Sequence, residues 1–150
     1  MSTQPKKQSD SEYQASKNVF AIPIRVYYQD TDAGGVVYHS THLDFLERAR
    51  YEWLRDLGFD VQSLTDIHKV HFMVRSLEIE YFKPALLDNL LNVTVQLVEM
   101  GRSRIALSHQ TFFDQTLLAR ATVHVVCVGT ESLKPVSVPI PLRHKLGNLS

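Results

Sequence analysis

With one cysteine in 150 residues, Cys127, the chain has no second thiol for an internal disulfide and cannot form a four-cysteine metal site. A reducing compartment, the cytoplasm, is expected. An excess of charge is lacking too: 16 Lys and Arg balance 16 Asp and Glu, so no global field draws the protein to nucleic acid or an anionic membrane. Any anionic ligand must meet a local basic patch. No stretch reaches the roughly 18 apolar residues of a membrane span, and the polar residues 1–17 lack the apolar centre of a secretory signal. The expectation is a protein without a membrane span, led by a flexible polar tail over residues 1–19. Repeats and low-complexity tracts are also missing, and glycine and proline number only six each.

What remains is an ordinary globular composition, 44% hydrophobic and 21% charged, at a length suited to one domain with one core. Apolar or aromatic residues at 22, 24, 26 and 28 alternate as in a half-buried strand over residues 22–28. A turn-rich segment follows, and then Leu43, Leu46, Ala49, Trp53, Leu54 and Leu57 fall at helical spacing up to Gly58. The helix starts either at a capping box of Thr41 and Asp44 or nearer Val37 and Tyr38. After a connection over residues 59–70, strands are expected at 73–81, 91–97, 105–113 and 118–128, with turns at Asp88-Asn89, Gly101 and Asp114-Gln115. Residues 118–128 are apolar at both parities, as in a strand covered on both faces. Neither the helix stripe nor the strands can bury their apolar faces alone. The fold class is therefore α+β, a long helix packed on a five-stranded antiparallel sheet over residues 20–130. Prolines 135, 139 and 141 suggest an irregular tail over 131–150.

Chemistry concentrates in residues 30–39, DTDAGGVVYH. Asp30 and Asp32 precede Gly34 and Gly35, which allow a sharp turn and close approach of a ligand to the backbone. The helix start then offers unpaired N–H groups and the positive end of a dipole, a place for a developing oxyanion. A nearby carboxylate could attack a carbonyl polarised there, or activate water against it. By itself the same pattern is also a solvated turn. An EF-hand register is not met, and His39 and His42 with Asp32 form only a weak metal pattern.

The stretch 27–39, YYQDTDAGGVVYH, together with 45–50, FLERAR, resembles the acyl-CoA thioesterases of the 4-hydroxybenzoyl-CoA thioesterase superfamily, in particular the bacterial group associated with the Tol-Pal system. The likeness covers most of residues 22–130. It implies the hot-dog fold, a helix wrapped by a curved sheet, and hydrolysis of acyl-CoA, with a short aliphatic or hydroxybenzoyl-type acyl group, to free acid and CoA without metal or organic cofactor. It also implies Asp32 as nucleophile or general base, and a main-chain N–H at His39 as the oxyanion donor. Tyr28, Gly34, Gly35, Val36 and Tyr38 match the motif around the substrate, and Asp30 shapes the loop. The resemblance further implies a homodimer or homotetramer with sites at the subunit interface. A carboxylate is ionised at neutral pH and needs no activating partner against a thioester.

Two other functions share this reading: hydration of an acyl thioester, which wants an acid and a catalytic histidine, and non-catalytic binding of an acyl thioester or acyl carrier protein at an envelope complex. Coenzyme A phosphates need cations, for which Arg75, Lys83, Arg102, Arg104 and Arg120 are candidates. His68 and His71 read as surface residues, His109 and His124 as hydrogen-bonded interior imidazoles, and Cys127 as a small core hydrophobe. Trp53, Phe45, Tyr51 and Phe59 read as helix packing.

Overall fold

The computed structural model describes residues 19–149, so the N-terminal tail expected over 1–19 lies, save for Val19, outside the described residues. Five strands form one antiparallel sheet: β1 (Phe20–Arg25), β2 (Val70–Tyr81), β3 (Leu90–Met100), β4 (Arg104–Phe113) and β5 (Thr116–Gly129). Their order is β1-β3-β4-β5-β2. Helix α1 (Thr41–Asp56) lies across the sheet, followed by the short α2 (Val61–Asp66). Phe45, Leu46, Ala49 and Trp53 of α1 are buried together with Val93, Leu107, Val123 and Val125 of the strands, so the helical stripe fills the sheet's inner face.

β2 and β3 are consecutive in sequence but not paired. β2 runs along one edge against β5, while the turn at Asp88-Asn89 carries the chain across to pair β3 with β1. Among the described residues both edges are open, but they differ. β1 has six residues and contains Pro23, whereas β2 has twelve and leaves Met73 and Val74 exposed.

Three expectations change. The first strand ends at Arg25 rather than at residue 28, because Tyr28–Asp30 turns into one 3-10 turn held by the Asp30 carboxylate on the Tyr27 N–H. Tyr28, taken as inward by its parity, is exposed. β5 is covered on one face along its middle: Val123, Val125 and Cys127 are core, while of the even positions Arg120 and His124 are exposed and only Leu118 and Val128, toward the ends, are buried. His124 is accordingly a surface residue.

The third correction concerns residues 131–150, expected to be an irregular tail. They carry a helix, α3 (Ile140–Gly147), with Pro141 in its first turn, where a missing N–H costs nothing. Val138, Leu142 and Leu146 join the main core. Arg143 donates from Nη2 to the carbonyls of Gly101 and Arg102 and ties α3 to the β3–β4 turn. Prolines therefore mark the entry to a helix and not the absence of one.

Candidate active site

The loop before α1 is a small hairpin. Thr31 bridges Val37, Asp32 donates its N–H to the Val36 carbonyl at 2.9 Å, and Tyr38 donates to the Asp30 carbonyl at 3.2 Å. Gly35 closes the turn at φ +78°, a region that favours glycine. The loop is anchored from below as Val36 bridges Leu86 and Val37 donates to the Ala85 carbonyl. Asp30 is buried and spends its carboxylate on the Tyr27 N–H at 2.8 Å, so it shapes the loop.

Asp32 is exposed at the turn, and its Oδ1 accepts from the Gly34 N–H at 2.8 Å. That bond orients the carboxylate while Oδ2 has no partner among the described residues. A Cβ on Gly34 would come within 3.3 Å of Asp32 Oδ1, which is why the bare glycine matters there.

α1 begins at Thr41 with Ser40 as its N-cap residue, and no side chain caps it. The capping box of Thr41 and Asp44 and the earlier start at Val37 or Tyr38 are both absent. Within the first turn, however, the Thr41 and Leu43 N–H groups already donate to the Tyr38 and Ser40 carbonyls at 2.9 and 3.1 Å. The His39 N–H, directly before it, donates to no acceptor among the described residues. The His39 carbonyl accepts from the Tyr81 hydroxyl at 2.8 Å, and its exposed ring lies 4.3 Å from that of Tyr38.

The structure therefore joins Asp32, Gly34, Gly35, Val36, Tyr38 and His39 in one braced loop. Tyr28 stands apart, its side chain 83% exposed and its carbonyl bound by Thr31. His42 is buried on the first turn between the rings of Phe45 and Tyr81, and its Nδ1 has no partner among the described residues. Burial lowers its pKa. Among the described residues no three His, Cys, Asp or Glu side chains gather as a metal site, so His39, His42 and Asp32 do not form one.

Of the phosphate candidates, Lys83 lines a shallow depression with Val37, His39, His42 and Tyr81 beside the helix start. Arg120 is engaged by Glu80 at 3.0 Å and lies over the Phe82 ring. Arg102 and Arg104 flank the β3–β4 turn, beside the end of β5 that pairs with the start of β2. Burial pushes the Cys127 thiol up to about 11, in keeping with a core role.

A second polar feature lies farther along α1. Arg50 and His109 are both buried, and Arg50 Nη1 lies 3.3 Å from His109 Nε2. His109 Nδ1 lies 2.8 Å from the Thr94 carbonyl, so Nδ1 carries the proton and Nε2 accepts from the guanidinium. Burial, with the Arg50 charge adding to it, pulls the His109 pKa down to about 4. The sequence pattern marks Arg50 only as the end of the FLERAR stretch and gives it no buried role, although it stands four residues after Leu46 and three before Trp53 on the apolar stripe. Its charge concealed a buried position.

A profile of the thioesterase-like superfamily matches residues 26–146. The chain belongs to that superfamily. It is 44% identical over 122 residues to an acyl-CoA thioesterase, YbgC, of Haemophilus influenzae, a match covering 81% of this chain and 90% of that protein. Among solved structures, a probable thioesterase from Bartonella henselae is similar at a TM-score of 0.78 and 35% identity, over 81% of this chain and 99% of that one. A 1,4-dihydroxy-2-naphthoyl-CoA thioesterase from Synechocystis is similar at a TM-score of 0.80 and 25% identity, over 88% and 98%. The hot-dog fold and the thioester hydrolase class expected from the motif both stand.

Proposed function

We propose that the chain hydrolyses acyl-CoA to free acid and CoA, with Asp32 as the catalytic carboxylate. The observation that carries this reading is the oriented, exposed Asp32 on a braced loop that leads directly into a helix start, where the His39 N–H has no acceptor among the described residues. The thioester carbonyl oxygen sits against the His39 N–H, where donors and dipole favour the negative charge that develops there. Asp32 either attacks the carbonyl carbon or takes a proton from the water that does. Collapse of the tetrahedral species releases the CoA thiolate. Where Asp32 is the nucleophile, water then cleaves the acyl-aspartyl anhydride. Gly34, Gly35 and Val36 present backbone to the thioester, while Tyr38 flanks it. The acyl group is short aliphatic or hydroxybenzoyl-type, and the location is cytoplasmic.

The functional unit is at least a homodimer, paired through the β2 edges. β2 is the long free edge with exposed apolar residues, so it is the surface that a second copy can extend. In one chain α1 runs from the Tyr81 end of β2 toward its Val70 end, as the Tyr81–His39 bond and the packing of Phe72 near Tyr51 show. A two-fold axis through the middle of β2 brings the second copy's Asp32 loop opposite the Val70 end. There it faces a cavity of about 110 Å³ between α1 and the sheet, a receptacle for the acyl group.

Thiol release from a panel of acyl-CoA thioesters tests the reaction, and sedimentation tests the assembly. Hydration of a crotonyl thioester without thiol release would favour a hydratase. Binding of acyl-CoA or acylated carrier protein without turnover of any thioester would favour a binding role.

A further inference from the structure

The cavity under α1 has mainly apolar walls, among them Leu54, Phe72, Ile105, Leu107 and Val125, and one buried cation, Arg50. Arg50 is 8% exposed. A guanidinium has five N–H donors, and among the described residues Arg50 uses one, toward neutral His109. No carboxylate lies within 4.0 Å of it; the described ion pairs are Arg55–Glu52 and Arg120–Glu80. A buried cation with unused donors on an apolar cavity is costly unless an acceptor enters that cavity.

The acceptor's charge follows from Glu47, which lines the same cavity one helical turn before Arg50. It supplies a negative charge to Arg50, so an anionic ligand would enter beside a carboxylate. The acceptor's size follows from the volume. About 110 Å³ is less than the roughly 150 Å³ of a cavity that holds benzene, so a short chain fits entire and a single ring only in part.

We propose that Arg50, held in place by His109, selects acyl groups that carry a neutral oxygen, hydroxyl or carbonyl, at their far end. This inference rests on the thioesterase reading and adds a specificity-determining residue to it. An acyl group without that oxygen fills the cavity but leaves the guanidinium donors unpaired, a loss felt in kcat/KM.

The test compares kcat/KM for matched thioesters: butyryl-CoA with 4-hydroxybutyryl-CoA, benzoyl-CoA with 4-hydroxybenzoyl-CoA, and succinyl-CoA for the carboxylate. The wild type is expected to favour each hydroxylated member by about 10- to 100-fold, as for a hydrogen bond to a charged group, and 4-hydroxybutyryl-CoA over succinyl-CoA. Arg50→Met, which keeps bulk but removes the donors, is expected to bring the two hydroxyl ratios close to one. Should that variant not fold, Glu47→Gln on the exposed side serves instead, and is expected to raise succinyl-CoA relative to 4-hydroxybutyryl-CoA. Turnover of all five by the wild type without a preference for the hydroxylated members overturns this inference alone. So does a preference unchanged in a folded Arg50→Met, or a succinyl ratio unmoved by Glu47→Gln. No thiol release from any of the five overturns the hydrolase reading and this inference together.

Discussion

The Tyr81 hydroxyl donates to the His39 carbonyl at 2.8 Å and so fastens the end of β2 to the loop that carries Asp32. A strand with a free edge and the loop proposed to be catalytic thereby share one hydrogen bond. Tyr81→Phe removes that bond at a half-exposed position, where its loss costs about 1 kcal/mol or less. Thermal unfolding is expected to change little while kcat falls several-fold. Paired melting and turnover measurements check this, since a purely structural role would move both together.

Gly34 and Gly35 are expected to fail in different ways. At Gly35 a Cβ has open space but sits at φ +78°, so Gly35→Ala costs stability, about 1–2 kcal/mol. At Gly34 a Cβ presses on Asp32 Oδ1, so Gly34→Ala displaces the carboxylate and costs turnover more than stability. Denaturant titration and thiol release on both variants separate the two effects.

Asp30→Ala leaves the Tyr27 N–H without its acceptor at a part-buried position. The expected cost is about 1 kcal/mol, with loss of turnover because the hairpin above it loosens. Asp30→Asn keeps an acceptor oxygen and is expected to recover much of both losses, as read by melting temperature and kcat.

Stability is expected to fall as pH drops from about 6.5 to about 4. His109 is held below its ordinary value in the fold, so over that window the unfolded chain binds a proton that the folded chain refuses. Its contribution is complete above the unfolded value and lost as pH falls to the folded one. Two to three pH units correspond to about 3 kcal/mol. His42, also lowered by burial, acts in the same direction. Urea unfolding at pH 7 and pH 4.5 checks the slope, and His109→Gln is expected to flatten it.

Much of this was legible in the sequence where local pattern and tertiary context agree. The apolar stripe of α1, the five strands and the DTDAGG loop each follow from spacing or turn chemistry. Legibility ended where long-range contacts decide. Arg50 lies on a buried stripe although charge argues for solvent, and only the pairing with His109 on β4 accounts for it. His124 and His109 share a strand-like setting, yet one faces solvent and the other the core, because β5 is covered on one side. The final helix was hidden by prolines whose fixed φ suits its first turn. The Asp32 loop and the cavity lie at opposite ends of β2, a relationship visible only in the assembled sheet.

The most direct measurement is CoA thiol release by the wild type and by Asp32→Asn on the same acyl-CoA panel, with circular dichroism and melting recorded for both. The account predicts hydrolysis by the wild type and a loss of about 100-fold or more in kcat for a variant that melts like the parent. A folded Asp32→Asn that turns over at the wild-type rate would contradict it.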